Sequence, residues 1–161
     1  MKDKFKRAYM AVAAQFAQLS HAQKLKVGSI IVKDNRIISI GYNGMPSGWH
    51  NECEDMIVYE GTYPEYHLKS KKEVLHAESN AIAKVAKSNE SCDNAVIFCT
   101  HAPCLECAKL IHQSGITAVY YREDYKSTNY GSGIEFLVQS NIHVEMVNEN
   151  SSYYWYTFWC S

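Results

Sequence analysis

The order of apolar segments along this chain predicts an α/β fold with three layers, in which helices cover both faces of a mixed five-stranded sheet. An amphipathic helical pattern comes first, two β-branched segments joined by a short polar turn follow, and strand and helix patterns then alternate. Strands joined by a tight turn are antiparallel, whereas strands separated by a helix are usually parallel, so both kinds of pairing are expected. The chain has 161 residues, 47% of them hydrophobic, which suits one domain spanning residues 1–161.

The first elements follow from residue spacing and turn chemistry. Apolar residues at intervals of three and four from Phe5 to Leu19 predict a helix that covers one face of the sheet. Segments 27–32 and 36–41 are rich in β-branched residues and predict a hairpin across the polar turn between them. Segment 41–48 is too rich in Gly and Pro for regular structure, and residues 49–73 form a long connection of mixed polarity.

The second half of the chain predicts alternating helices and strands. The elements are, in order, a helix over 77–87, a strand over 95–100, a helix over 107–112 that ends at Gly115, a strand over 117–121, a helix over 133–139 and a strand over 143–147. This alternation predicts parallel strands with helices packed on the sheet.

Two short motifs supply metal ligands. His76 lies two residues before Glu78, and Pro103 precedes a Cys-x-x-Cys pair formed by Cys104 and Cys107. Residues two apart do not share a helix face, so His76 and Glu78 can converge only where a helix begins. A structural zinc normally takes four protein ligands, whereas a catalytic zinc takes three and leaves a position for water. Three ligands and one spare carboxylate therefore predict a hydrolytic zinc site, a pattern typical of nucleobase deaminases.

The cysteine pair by itself also fits two different kinds of site. A lone Cys-x-x-Cys occurs in thioredoxin-like redox sites and as half of a four-cysteine zinc ribbon. The remaining cysteines, Cys53, Cys92, Cys99 and Cys160, are scattered singly, so no second pair completes a ribbon. A redox pair would leave the His-x-Glu motif without a role. We therefore expect a catalytic zinc, with the remaining cysteines reduced.

Net charge and the composition of the two ends of the chain bear on which classes of partner are expected. The formal net charge is −1 and the cationic residues are spread along the chain, which argues against nucleic acid as the main partner. The N-terminus lacks a signal-peptide pattern and no apolar run reaches membrane-spanning length, so we expect a cytoplasmic protein without a membrane partner. Residues 151–161 form an aromatic tail, which we expect to be covered by an added strand or a subunit contact.

The segment Gly-Tyr-Asn-Gly-Met-Pro-Ser-Gly at 41–48, together with 106–111 and 113–116, resembles the deoxycytidylate (dCMP) deaminases, in particular those of bacteriophages. The resemblance runs from about Phe5 to Val147. It implies the three-layer fold of the cytidine deaminase-like superfamily. It also implies zinc-dependent hydrolysis of dCMP to dUMP and ammonia, which feeds dTMP synthesis, in the host cytoplasm if the chain is phage-encoded.

The resemblance further implies roles for individual residues. His76, Cys104 and Cys107 hold zinc, and Glu78 takes a proton from water and returns protons to N3 and to the leaving amine. Asn43 contacts the sugar, although it is also a residue type that suits a left-handed turn. The residues expected to line the cytosine are Ala77, through its backbone N–H, Thr100, Ala102 and Pro103.

A 5′-phosphate requires cationic or hydroxyl donors. The candidates are Lys26, Tyr121, Tyr125 and Lys126, for which a solvated charged loop is the competing interpretation. Glu106 lies between the two cysteines and is expected to face solvent or another subunit.

Family members of this type are commonly homohexamers that are activated by dCTP with Mg²⁺ and inhibited by dTTP, and the resemblance implies the same here. Candidate effector contacts are Asn43, Gly44, Trp49, Glu52 and Asp55. Some phage relatives carry a second, structural zinc, for which His50, Cys53 and His67 are candidates, but three ligands are too few for a closed site.

Two further classes of function remain open on sequence grounds. One is a deaminase of another cytosine or adenine substrate, such as a nucleoside, dCTP, tRNA or single-stranded DNA. The second is a non-catalytic domain that binds zinc or a nucleotide.

Overall fold

The computed structural model describes residues 1–59, 65–124 and 133–147. Its elements are α1 (Asp3–Ala17), β1 (Gly28–Lys33), β2 (Arg36–Tyr42), β3 (Glu54–Tyr59), β4 (Glu65–Ser70), α2 (Ala77–Val85), β5 (Val96–His101), α3 (Leu105–Gln113), β6 (Ala118–Glu123), α4 (Gly133–Gln139) and β7 (His143–Met146). Tyr125, Lys126 and the aromatic tail 151–161 lie outside the described residues.

The main sheet has five strands in the order β2-β1-β5-β6-β7. β1 pairs antiparallel with β2 and β5, whereas β5, β6 and β7 are mutually parallel, so the sheet is mixed as predicted. Asp34 and Asn35 in the β1–β2 turn have φ values of 50° and 59°. Left-handed residues at both central positions match the twist of the flanking strands, which is why this polar turn closes a hairpin.

Helices cover both faces of the sheet, which confirms the three-layer α/β/α fold. One face packs against α1 through a cluster that comprises Met10, Ala13, Ile30, Val32, Phe98, Ala118, Tyr120 and Val147. The opposite face packs against α2, α3 and α4 through a larger cluster that includes Ile31, Ala81, Val85, Ile97, Cys99, Ile111, Val119 and Leu137. Neighbouring residues of one strand enter opposite clusters because side chains alternate along a strand. None of the helices in the described part of the chain has the length and apolar character needed to span a membrane.

The connection over 49–73 contains a two-stranded antiparallel sheet, β3–β4, which the sequence did not predict. Its apolar side chains remain largely in solvent, with Met56 and Tyr66 each 65% exposed, so its sequence lacks the usual alternation of buried and exposed residues. The carboxylate of Glu54 accepts hydrogen bonds from the backbone N–H groups of Gln23 and Lys24. These contacts attach the base of the hairpin to the main domain.

We expect Gly41→Ala to destabilise the fold, because β2 and α2 meet without room for a side chain at this position. A β-carbon on Gly41 would overlap the carbonyl oxygen of Ala77 and lie 2.7 Å from the amide nitrogen of Ala81. Overpacking of this kind typically costs about 1–3 kcal/mol. The free energy of unfolding, measured in urea, should fall by that order.

Gly44→Ala is the matched control for this measurement. A β-carbon at Gly44 meets nothing within 4 Å, so the stability of this variant should stay close to that of wild type. Equal stability of the two variants would show that α2 can move away from β2 without cost.

Candidate active site

The predicted metal ligands lie at the starts of two neighbouring helices. His76 is the N-cap residue of α2 and Cys104 is the N-cap residue of α3, both with extended backbones at ψ of 154° and 168°. Cys107 follows in the first turn of α3. The prediction that His76 and Glu78 flank a helix start is confirmed, because an extended residue before the first turn lets both side chains project to one side.

The three side chains converge on a space that suits a metal ion. The Nδ1 atom of His76 lies 3.4 Å from the sulfur of Cys104 and 3.4 Å from the sulfur of Cys107. Their ligand atoms all lie within 4.8 Å of one another. Two donors bound to one tetrahedral zinc at about 2.0–2.3 Å lie about 3.6 Å apart. The donor set and its spacing therefore fit zinc.

Hydrogen bonding within the cluster shifts the pKa values of the two thiols in opposite directions. A hydrogen bond from Cys107, together with the nearby His76, lowers the pKa of Cys104 to about 4. The same hydrogen bond, followed by burial, raises the pKa of Cys107. The lowered pKa favours the thiolate form of Cys104, and a cation bound by both sulfurs would favour loss of the proton of Cys107 as well.

Glu78 lies beside the cluster without belonging to it. Its residue surface is only 4% exposed, and burial raises the pKa of its carboxyl group above the usual range. Its own backbone N–H, the nearby His76 and a hydrogen bond with Cys107 oppose that rise. A raised pKa brings a carboxyl group closer to neutral pH, where a general acid–base group must both accept and donate a proton.

Comparison with known proteins agrees with this arrangement. The family model for the cytidine and deoxycytidylate deaminase zinc-binding region matches residues 3–123. The chain belongs to this deaminase family. The matched region includes His76, Glu78, Cys104 and Cys107, and the family predicted from the sequence motifs is confirmed.

Individual relatives of this deaminase are similar over most of its length. A cyanophage S-TIM5 dCMP deaminase, whose crystal structure contains dCMP and dUMP, is 44% identical with a TM-score of 0.78 over 91% of this chain and 98% of that one. The ComE operon protein 2 of Bacillus subtilis is 37% identical over 86% of this chain and 69% of its own. The deoxycytidylate deaminase of Enterobacteria phage T2 is 31% identical over 87% of this chain and 95% of its own.

The residues expected to line the cytosine in this deaminase lie next to the ligands along the chain. Ala77 is fully buried between His76 and Glu78, and Pro103 is buried just before Cys104. Ala102 donates its backbone N–H to the carbonyl oxygen of Glu123 at 2.8 Å. The backbone of Ala102 is therefore fastened to the end of β6, and the three residues are near neighbours of the cluster residues along the chain.

Thr100 is also buried, but its hydroxyl group is engaged within the deaminase. Its Oγ1 accepts the backbone N–H of Gly28 at 3.1 Å and lies 3.1 Å from Nδ1 of His101. These contacts join β1 to the end of β5. A direct contact between this hydroxyl group and substrate stays a prediction.

Two of the candidate phosphate ligands, Lys26 and Tyr121, lie in the described part of the chain. Lys26 is exposed just before β1, and Tyr121 is half-buried on β6, where burial raises the pKa of its hydroxyl group. Their role stays a prediction, as does that of the candidates beyond the described residues. Glu106 is exposed and pairs with Lys109 at 2.7 Å, which agrees with its expected position in solvent.

The candidate effector residues lie on the loop after β2 and around the hairpin. Trp49 is 58% exposed, and the carboxylates of Glu52 and Asp55 each lie 3.7 Å from the ammonium group of Lys71. Asn43 is not among the residues with positive φ, so the interpretation of Asn43 as a left-handed turn residue is wrong.

The candidates for a second zinc, His50, Cys53 and His67, form no group of three close ligand atoms in the described part of the chain. Cys53 is buried and donates to the carbonyl oxygen of Asn51, whereas His67 pairs with Glu65. Cys53 and His67 therefore each have a local partner of their own.

Gly133 allows α4 to pack closely against the backbone of Pro103 and Cys104, a role that the sequence pattern did not predict. It begins α4, and a β-carbon there would overlap the carbonyl oxygen of Pro103 and lie 2.7 Å from that of Cys104. Helix α4 thus packs directly on the loop that carries a ligand. A signal existed in the sequence, because Gly is a poor helix former and a helix that begins with it indicates close backbone approach.

Proposed function

We propose that this chain hydrolyses dCMP to dUMP and ammonia. The observation that carries the proposal is the buried Glu78 beside a His-Cys-Cys cluster in a chain with extensive similarity to a dCMP deaminase crystallised with dCMP and dUMP. A ligand set of three with a free carboxylate suits hydrolysis, whereas four protein ligands would suit a structural role.

His76, Cys104 and Cys107 would hold the zinc ion of this deaminase. Zinc supplies a water of lowered pKa, near 7, and so a nucleophile at neutral pH. The chain contributes a thiolate at Cys104 and fixes all three ligands at helix starts or in a first turn. His76 is exposed whereas Cys107 is buried, so the cluster is accessible from the side of His76.

Glu78 would move the protons of the reaction. Its carboxylate takes a proton from the attacking water and passes it to N3 of the cytosine ring. A second proton from the water reaches the exocyclic amine by the same carboxyl group, so that C4 gains oxygen and ammonia leaves. Burial favours the neutral form of this carboxyl group and so makes its carboxylate a better acceptor for the proton of the attacking water.

The remaining substrate contacts follow from position along the chain. We assign the cytosine to the backbone around Ala77 and to Thr100, Ala102 and Pro103. The sugar is assigned to Asn43. The residues assigned to the 5′-phosphate are Lys26 and Tyr121, together with Tyr125 and Lys126.

We also propose regulation and assembly of the kind common in the family. The enzyme would act as a cytoplasmic homohexamer, with dCTP and Mg²⁺ as activator and dTTP as inhibitor, and would supply dUMP for dTMP synthesis. The exposed loop around Gly44 and Trp49 and the carboxylates of Glu52 and Asp55 are the proposed effector contacts. Carboxylates are suitable ligands for Mg²⁺, which supports their inclusion.

A substrate panel tests the activity. Ammonia release is followed with dCMP, deoxycytidine, dCTP, tRNA and a single-stranded oligonucleotide, each with and without dCTP and Mg²⁺. We expect kcat/KM for dCMP to exceed that for deoxycytidine by at least about 100-fold, because the nucleoside leaves the phosphate ligands unpaired.

Different outcomes point to different functions. Equal turnover of deoxycytidine and dCMP would remove the nucleotide assignment, and release only from the oligonucleotide or tRNA would make the chain a polynucleotide deaminase. Zinc binding without ammonia release from any substrate would indicate a non-catalytic binding domain.

A further inference from the structure

The side-chain amide of Asn43 is turned into the protein. Its Oδ1 accepts the backbone N–H of Val27 at 2.8 Å, and its Nδ2 donates to the carbonyl oxygen of Leu25 at 2.8 Å. Its backbone N–H also donates to the carbonyl oxygen of Val27 at 3.1 Å. These three hydrogen bonds, which we call the Asn43 staple, fasten the loop after β2 to the residues that lead into β1.

The staple requires one donor and one acceptor on the same short planar group. Asp supplies no donor and would place a carboxylate oxygen against the carbonyl oxygen of Leu25, whereas Ala supplies neither group. Ser20 adds a further anchor by donating its hydroxyl group to the carbonyl oxygen of Asn43 at 2.7 Å. The amide of Asn43 keeps one further hydrogen and one further lone pair, so the staple leaves a sugar contact chemically open.

The residues on either side of Asn43 hold the start of α2. Gly44 and Leu75 exchange two backbone hydrogen bonds, of 3.1 and 2.9 Å, and Leu75 immediately precedes His76. On the N-terminal side of Asn43, Nδ2 of Asn80 on α2 donates to the carbonyl oxygen of Tyr42 at 3.0 Å. Leu75, just before His76, and Asn80, about one turn after it, are thus bonded to Gly44 and Tyr42, the two neighbours of Asn43.

We propose that Asn43 is a positioning residue for the metal centre. By fixing the backbone at residues 42–44, to which Leu75 and Asn80 are bonded, it sets the backbone from which His76 and Glu78 project. This inference rests on the proposed zinc site, and it assigns Asn43 a role separate from the sugar contact.

Zinc affinity measured without substrate tests this role. The zinc dissociation constants of Asn43→Asp and Asn43→Ala are determined by competition with a chelator of known affinity. We expect affinity to fall about 10–100-fold for the alanine variant, the range found when a group that orients a metal ligand is removed. With dCMP we expect kcat to fall more than KM rises, because misplacing Glu78 affects the chemical step.

Lys26→Ala is the matched control, since Lys26 lies between Leu25 and Val27 but its side chain takes no part in the staple. It should keep the zinc affinity of wild type, even if loss of a phosphate contact raises KM for dCMP. A fall in its zinc affinity equal to that of Asn43→Ala would attribute the effect to general loosening of the loop and overturn the proposal.

Wild-type zinc affinity in both Asn43 variants, with a raised KM, would also overturn the proposal and make Asn43 a substrate contact only. If circular dichroism shows that Asn43→Ala does not fold, Asn80→Ala decides, because it breaks the same connection from the side of α2. Weaker zinc binding by Asn80→Ala would support the proposed link between Asn43 and the metal centre, and unchanged binding would contradict it. Because zinc binding is measured without dCMP, a chain that fails to deaminate dCMP leaves this test intact.

Discussion

Glu78→Gln should abolish nearly all deamination while leaving the fold and the metal site in place. The amide has the shape of the carboxyl group but cannot accept a proton from water, and loss of a general acid–base group typically lowers kcat by about 10²–10⁴-fold. Glu78 is outside the ligand cluster, so zinc content should match that of wild type. Ammonia release, zinc content and thermal unfolding are measured on the same preparation.

Glu106→Gln provides the matched control for this loss. It is the same chemical change on the second carboxylate of the two motifs, but Glu106 is exposed and pairs with Lys109 on the surface. A surface pair of this kind contributes little, so kcat should stay within about two-fold of wild type. An active Glu78→Gln enzyme would show that another group carries the protons.

Replacing a metal ligand should remove both zinc and activity. In His76→Ala the cluster keeps only the sulfurs of Cys104 and Cys107, and two protein ligands do not hold a zinc ion as three do. We expect the purified variant to contain little zinc and to release no measurable ammonia. The stabilisation that bound metal gives to the folded state should disappear as well, and Tm should fall toward that of chelator-treated wild type.

His50→Ala is the control for this experiment. His50 is an exposed histidine outside the cluster, and its variant should keep the zinc content and activity of wild type. Wild-type zinc content and activity in His76→Ala would remove this residue from the ligand set. Loss of zinc in His50→Ala would instead point to a second site, for which the described residues give no geometric support.

Most of the fold could be predicted from local sequence patterns. Helix α4 has the predicted bounds of 133–139, and the strands of the main sheet lie within one or two residues of their predicted positions. Buried strands and amphipathic helices are recognisable from the period of their apolar residues, since one face of each must leave water. The hairpin β3–β4 was missed because its apolar residues are exposed and so have no such period.

Part of the candidate site could likewise be predicted from local sequence, whereas another part could not. The candidate ligands could be predicted because Pro-Cys-x-x-Cys and His-x-Glu place donors at helix starts, and helix starts are local features. Asn43 could not be understood locally, because its partners Leu25 and Val27 are distant in sequence and meet it only through the pairing of β1 with β2. Gly133 likewise acquires its role only when α4 packs against the loop of Cys104.

The family, the layer order of the fold, the three candidate ligand types and the spare carboxylate could all be predicted from the sequence, because each depends on residue identity and short-range spacing. Three features of the site depend on the tertiary structure: the approach of the candidate ligand atoms to one another, the rise in the pKa of Glu78 on burial, and the opposite pKa shifts of Cys104 and Cys107. The tertiary structure also shows that the side chain of Asn43, which was predicted to contact the sugar, is hydrogen-bonded to Val27 and Leu25. Burial, hydrogen-bond partners and proton affinity depend on groups that lie far apart in the chain and come together only when it folds.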